Sequence, residues 1–243
     1  MDAQAPASLP GAVPLETGML LYPGMTLLDL AGPQAALGMH GRTHLFWKTL
    51  DPVMTDSGIA LVPTATFADA PAKLDVLFVP GGFGTVDAMK DEEIVAFLAE
   101  CGPGARYVTS VCSGSLLLGM AGLLDGYRAA THWACYDALE ALGIQPGRER
   151  VVIDRNRITG GGVTAGIDFG LALLAELRGE GVAKLTQLLM EYDPAPPFNT
   201  GHPRVAGPEL TAAALKVLGG AMGEDTLAEG IRIARARRGR EPA

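Results

Sequence analysis

Cys112 stands where two residue patterns meet. The β-branched run Arg106-Tyr-Val-Thr-Ser-Val111 ends at it, small residues Ser113-Gly-Ser115 follow, and the apolar helical pattern Leu116-Leu-Leu118 begins at once. Strand, sharp turn and helix in that order expose the nucleophile of hydrolase elbows. A side chain at the turn faces the unpaired N–H groups of the helix, where the dipole favours negative charge. Thiolate is the reactive form of cysteine, and a helix N-terminus is one way to lower a thiol pKa. The pattern predicts a nucleophile; the competing reading is a buried cysteine in an ordinary strand-to-helix turn.

Asp29 is the first partner for such a thiol. It lies in Thr26-Leu-Leu-Asp-Leu-Ala-Gly32, polar in an apolar stretch just after a strand end. Apolar surroundings raise a carboxyl pKa and let it carry a proton near neutrality; otherwise it is a helix-start acid favoured by the dipole. Gly81 and Gly82 close the buried strand Leu74–Val79. Their amides, with that of Ser113, are suited to an oxyanion-type pocket, or the glycines only shape a tight loop. His132, in Thr131-His-Trp133, is either a general base or a capping histidine. His40, His44 and His202 have no such context, and Cys101 and Cys135 read as small core residues.

The composition narrows the function classes. A chain of 243 residues with 48% hydrophobic and 19% charged residues describes a globular core. A net charge of −8 argues against a nucleic-acid surface, and the basic stretch Arg232 to Arg240 reads as a solvated helix end. Three cysteines without Cys-x-x-Cys spacing give no structural zinc site. No signal-like N-terminus and no run of roughly 18 apolar residues stand out, so a soluble cytoplasmic protein without a membrane or nucleic-acid partner is expected.

These side chains need a scaffold. Residues 1–16 read as a flexible Pro/Ala-rich tail, 17–207 as one α/β domain, and 208–243 as a helical extension packing on it. Strands are expected at Gly18–Tyr22, Leu45–Leu50, Leu74–Val79 and Arg106–Val111, with hairpins in Pro52–Thr66 and Arg150–Thr159. Helices are expected at Met25–Met39, after Asp91 to about Cys101, after the elbow, and at His132–Leu142, Thr164–Leu177, Val182–Glu191, Glu209–Leu218 and Asp225–Arg238. Strands alternating with helices give a doubly wound, mainly parallel sheet with helices on both faces. Ligands bind such sheets beyond the carboxyl ends of the strands.

Taken together, Tyr22-Pro-Gly-Met-Thr-Leu-Leu-Asp-Leu-Ala-Gly-Pro33, Val79-Pro-Gly-Gly82, Ser110-Val-Cys-Ser-Gly-Ser115, Thr131-His-Trp133 and Ile158-Thr-Gly-Gly-Gly162 resemble the ThiJ/PfpI superfamily, relatives of class I glutamine amidotransferases. The resemblance runs from about Gly18 to Glu191. With the tail Glu191-Tyr-Asp-Pro-Ala-Pro-Pro-Phe198 it is nearest the isonitrile hydratase branch. It implies a flavodoxin-like fold, a homodimer, Cys112 as nucleophile and Asp29 as its acid. Ser113 stands where that branch often has Thr, so the hydroxyl is kept and Ser113 is expected as a catalytic residue orienting water or sulfur; protease-like relatives have His there, which disfavours a peptidase. The implied reaction converts an isonitrile to an N-substituted formamide through a cysteine thioimidate, with no metal or organic cofactor. A glyoxalase-type activity is a second expectation. A ligand- or thiol-redox-sensing domain is a third, weakened by the short segment after Gly207.

Overall fold

The structure, a computed structural model, describes residues 13–222 and 226–238. Its strands are β1 Leu15–Leu20, β2 Gly41–Trp47, β3 Val53–Met54, β4 Ala60–Leu61, β5 Ala65–Thr66, β6 Leu74–Val79, β7 Ala105–Val111, β8 Arg128–Ala129, β9 Gln145–Pro146, β10 Val151–Asp154 and β11 Arg157–Gly160. The α-helices are α1 Leu27–Leu37, α2 Thr85–Lys90, α3 Glu92–Cys101, α4 Gly114–Met120, α5 Tyr136–Ala141, α6 Ala165–Arg178, α7 Glu180–Leu189, α8 Pro203–Ala206, α9 Pro208–Met222 and α10 Thr226–Arg238.

Seven strands form one sheet in the order β10-β11-β7-β6-β1-β2-β5. The pairings are parallel except for β10 against β11. This is the mixed, mostly parallel sheet of a flavodoxin-like α/β fold. Val76, Leu77, Phe78 and Val79 of β6 are fully buried, as expected of a strand covered on both faces by helices. β1, β6 and β7 are neighbours, so their carboxyl ends meet at one edge of the sheet, bringing Tyr22-Pro-Gly, Pro80-Gly-Gly and Cys112 together.

Local chemistry explains several boundaries. The Asp91 side chain accepts the Glu93 and Ile94 amides and starts α3 where a capping acid was expected. The small residues of α6 let it approach α1: an added Cβ at Gly166 would sit 2.9 Å from Pro33 Cδ, and one at Gly170 would sit 3.0 Å from the Ala36 Cβ. The expected hairpins form as β3–β4 and β10–β11, the latter joined to the main sheet through β7.

Other elements differ from expectation. β1 and β2 start earlier, because their polar leading residues pair in register, Glu16 with Arg42 and Thr17 with Thr43. The tail expected through residue 16 therefore yields Leu15 and Glu16 to β1, and residues 1–12 lie outside the described set. The single helix expected from His132 to Leu142 is a 3-10 turn, Trp133–Cys135, followed by α5. Helix α2 occupies Thr85–Lys90, between the glycine loop and α3, where no element is expected from the sequence.

Helix α10 packs between α2 and α5, with Ala234 buried and the Glu229 carboxylate 3.6 Å from Lys90 Nζ. Arg232 is exposed and pairs with Glu229 on its own helix; residues 239 and 240 of the basic stretch lie outside the described set.

Candidate active site

The backbone at Cys112 is left-handed, with φ at 56°. That conformation costs a non-glycine residue about 1–2 kcal/mol, and the surrounding structure holds it. The Cys112 amide donates to the carbonyls of Gly160 and Gly161, at 3.1 and 2.8 Å. Its carbonyl accepts the Thr131 hydroxyl at 3.0 Å and the Ser115 hydroxyl at 3.3 Å. Glycine at 114 is required because a Cβ there would lie 2.2 Å from the Val79 carbonyl oxygen. The side chain is left at the head of α4, 6% exposed.

The expectation of a helix-lowered thiol pKa is not met. Burial, and then the negative charge of Asp29, push the Cys112 thiol well above its ordinary value. The amides of Ser113 and Val163 donate toward the sulfur and pull the other way, but they are outweighed. Helix α4 has only seven residues, so its dipole is small against the loss of hydration.

Asp29 sits in the first turn of α1 with no solvent exposure. Burial lifts its carboxyl to about 7, against hydrogen bonds from the Cys112 thiol and the Gly81 amide; nearby Asp56 adds a like charge. Oδ2 accepts the Gly81 amide at 3.0 Å. Oδ1 is buried and has no partner at regular hydrogen-bonding geometry, so the thiol's pull on the carboxylate acts through a loose contact. The thiol and the carboxyl thus share a site in which one mobile proton, not two charges, is the favoured content.

The glycine loop is built differently from the oxyanion pocket expected of it. Besides the Gly81 amide held by Asp29, the Gly82 amide donates to Ser113 Oγ at 3.0 Å. Of the three expected donors the two glycine amides are already committed, and the Ser113 amide, joined by that of Val163, is aimed at the reacting sulfur. Glycine is still needed at both positions: a Cβ on Gly81 would lie 2.5 Å from the Ser113 nitrogen, and Gly82 has a φ of 149°. The Ser113 hydroxyl is tied into the loop as well. Thr85 Oγ1 donates to the Gly82 carbonyl at 2.7 Å, so across the 2.7 Å contact between the two hydroxyls Ser113 is the donor. Tyr22, fully buried, extends this network to the Pro80 carbonyl at 3.0 Å.

His132 reaches the site as a wall. Its Nδ1 accepts the Ala134 amide at 3.2 Å, so it caps the turn Trp133–Cys135 and the neutral ring carries its proton on Nε2. Burial lowers its pKa to about 4. A neutral ring with Nδ1 occupied is a hydrogen-bond donor rather than a general base.

A cavity of about 100 Å3 opens above the thiol, bounded by Cys112, Ser113, Gly82, Phe83, Val163 and Leu218, with His132 and Cys135 on one side. Cys135 is therefore both a core residue and a cavity wall, its thiol pushed up to about 12 by burial. Cys101 is half-buried and away from this cavity. Thr85, Leu218 and the wall position of Cys135 carry no sequence signal of their own. Among the described residues no group of three or more His, Cys, Asp or Glu converges as a metal site, and no helix is long and apolar enough to cross a membrane.

A buried thiol on a strained turn, a proton-holding carboxyl beside it and a small, largely apolar cavity suit addition of the sulfur to a compact electrophile. Known proteins match this chain accordingly. It is 52% identical over 194 residues to the isonitrile hydratase of Pseudomonas putida, covering 79% of this chain and 85% of that protein. It is 32% identical over 190 residues to the HTH-type transcriptional regulator GbdR of Pseudomonas aeruginosa, of which the match spans only 51%. A crystal structure of a ThiJ/PfpI family protein from Pseudomonas syringae is 47% identical and superposes with a TM-score of 0.84, covering 95% of this chain and 98% of that one. The family model for DJ-1/PfpI matches residues 18–176, spanning the Asp29 turn, the glycine loop and the elbow, and the chain belongs to the DJ-1/PfpI family.

Proposed function

We propose that this protein is an isonitrile hydratase, an enzyme that adds water to R–N≡C to give an N-substituted formamide. The observation that carries the reading is the Asp29–Cys112 pair: a carboxyl held near 7 beside a thiol held protonated. The 52% identity to a known isonitrile hydratase supports it.

The terminal carbon of an isonitrile is carbene-like and accepts both a proton and a nucleophile. The Asp29 carboxylate takes the thiol proton and delivers it to that carbon as Cys112 sulfur bonds to the same atom. The net step adds S–H across one carbon and gives R–N=CH–S–Cys112. Water then attacks the thioimidate carbon; Asp29 accepts one water proton and passes it to the nitrogen, giving R–NH–CH(OH)–S–Cys112 and regenerating the carboxylate. Loss of the hydroxyl proton to Asp29 and cleavage of the C–S bond release R–NH–CHO, and the proton returns to sulfur. Asp29 alternates as base and acid, Cys112 provides covalent catalysis, and the Ser113 and Val163 amides stabilise the thiolate as it leaves. In this reading Ser113 Oγ, Gly81 and Gly82 hold the loop, and His132 bounds the substrate. No metal or organic cofactor enters.

The test is formation of N-cyclohexylformamide from cyclohexyl isocyanide. Wild type should produce it and Cys112→Ala should not; equal rates in the two would sink the proposal. The similarity to the regulator supports a second reading, a ligand-binding domain, which isocyanide binding without formamide release would select. We further propose residues 17–207 as the catalytic unit with 208–243 as its extension, and a cytoplasmic homodimer acting on a small molecule. The exposed Leu188 and Leu189 of α7 support a self-association face, and light scattering of the purified protein tests it.

A further inference from the structure

A second cavity, about 260 Å3, adjoins the thiol cavity and shares His132 and Val163 with it. Its chemistry is different. Arg148, Arg150 and Arg204 line it, together with His202. Arg150 is committed: it pairs with Asp168, whose other oxygen accepts the Tyr192 hydroxyl, and donates to Thr164 Oγ1 at 3.3 Å. Glu149, the carboxylate on this wall, is bonded to Arg128 at 2.8 Å. The remaining two guanidiniums are not neutralised. Arg148 lies over the Tyr136 ring, its Cζ 5.1 Å from the centroid. Among the described residues, no carboxylate lies within ion-pair distance of Arg148 or Arg204.

The two histidines add donors. Like His132, His202 accepts a backbone amide at Nδ1, that of Arg204 at 3.1 Å, so its neutral ring carries a proton on Nε2. Burial and Arg204 keep His202 in that neutral state, and burial with His202 does the same for His132. The cavity is thus provided with N–H donors and positive charge, and among the described residues the one carboxylate on its lining, Glu149, is engaged by Arg128. Arginine forks of this kind recognise planar anions such as carboxylates.

We infer that the adjoining cavity is a subsite for a carboxylate carried on the substrate, so that the preferred substrates are short isocyano acids with the isocyano carbon at Cys112 and the carboxylate at Arg148 and Arg204. The inference rests on the hydratase reading for its reaction but not for its binding chemistry.

The test compares isocyanoacetate and 3-isocyanopropanoate with their methyl esters, in wild type and in the double variant Arg148→Gln/Arg204→Gln. In wild type, kcat/KM should favour an acid over its ester by about tenfold or more, the scale of one charge-assisted hydrogen bond. The preference should weaken with added salt and fall to near one in the double variant. Equal use of acid and ester by wild type, or a preference that survives in the variant, overturns the subsite. Should wild type turn over neither compound nor cyclohexyl isocyanide, the hydratase reading fails separately. Calorimetry with N-formylglycine and its methyl ester then decides the subsite: tighter binding of the acid, lost in the double variant, upholds it, and equal binding overturns it.

Discussion

The Asp29 carboxylate opposes ionisation of the Cys112 thiol, whereas the protonated thiol favours ionisation of Asp29: the charge of Asp29 raises the thiol, and the thiol's hydrogen bond is one of the few influences pulling the buried carboxyl down. The pair holds its proton near neutrality and surrenders it in a coupled step. On the proposed mechanism the acid limb of kcat/KM against pH should belong to the pair, with a midpoint near Asp29's value of about 7.

Replacing the carboxylate separates its two effects. In Asp29→Asn the charge that disfavours the thiolate is gone, so Cys112 should become more acidic while losing its proton carrier. The pH midpoint of Cys112 alkylation, read by peptide mass, should shift down by about one unit or more, and formamide production should fall by at least about a hundredfold. A midpoint that moves upward would mean that Asp29 activates the thiolate directly.

The same substitution reports on stability. Asp29 has its folded pKa raised from 3.8 to about 7, so its contribution is fully present below 3.8 and is lost as pH rises through 7. Asp29→Asn removes a buried charge that exists only at the upper end. Its melting temperature relative to wild type should be higher at pH 8 than at pH 5, measured by calorimetry at both values. A difference independent of pH would show that the carboxyl is not strained by burial.

How much of this was legible in the sequence depends on what each feature is made of. Strand β6 was read to the residue because its apolar run is continuous, and α3 because Asp91 is a side-chain cap. The elbow was legible from a change of pattern at Cys112. The starts of β1 and β2 were not, since Glu16, Thr17, Arg42 and Thr43 are polar and become strand only by pairing with each other. Helix α2 is a six-residue helix with no side-chain cap. The Val163 donor is a backbone amide, which no residue type announces. The sign of the thiol shift was missed because it depends on depth of burial, which a motif does not carry.

Ser113 offers a test of the loop. Its hydroxyl accepts the Gly82 amide and donates to Thr85, so Ser113→Ala strands a partly buried N–H at a cost of about 1–3 kcal/mol. Denaturant melts should show that loss, while formamide production stays well above that of Cys112→Ala, because in the proposed mechanism the hydroxyl carries no proton. Activity as low as Cys112→Ala in a folded Ser113→Ala protein would instead give Ser113 a direct chemical role.

Leu218 should give the C-terminal segment an influence on selectivity. It belongs to α9, beyond the residues matched to the family, yet it bounds the same small cavity as Cys112. Leu218→Ala removes three carbons from that wall. Bulky isocyanides should gain in kcat/KM relative to compact ones, chiefly through KM, since the change acts on binding rather than on the reacting atoms. Leu218→Phe should shift the ratio the other way. Alkylation of Cys112 with maleimides of increasing size gives a readout independent of turnover: the rate for the larger reagents should rise in Leu218→Ala. Unchanged size dependence in both measurements would place α9 away from the substrate in solution.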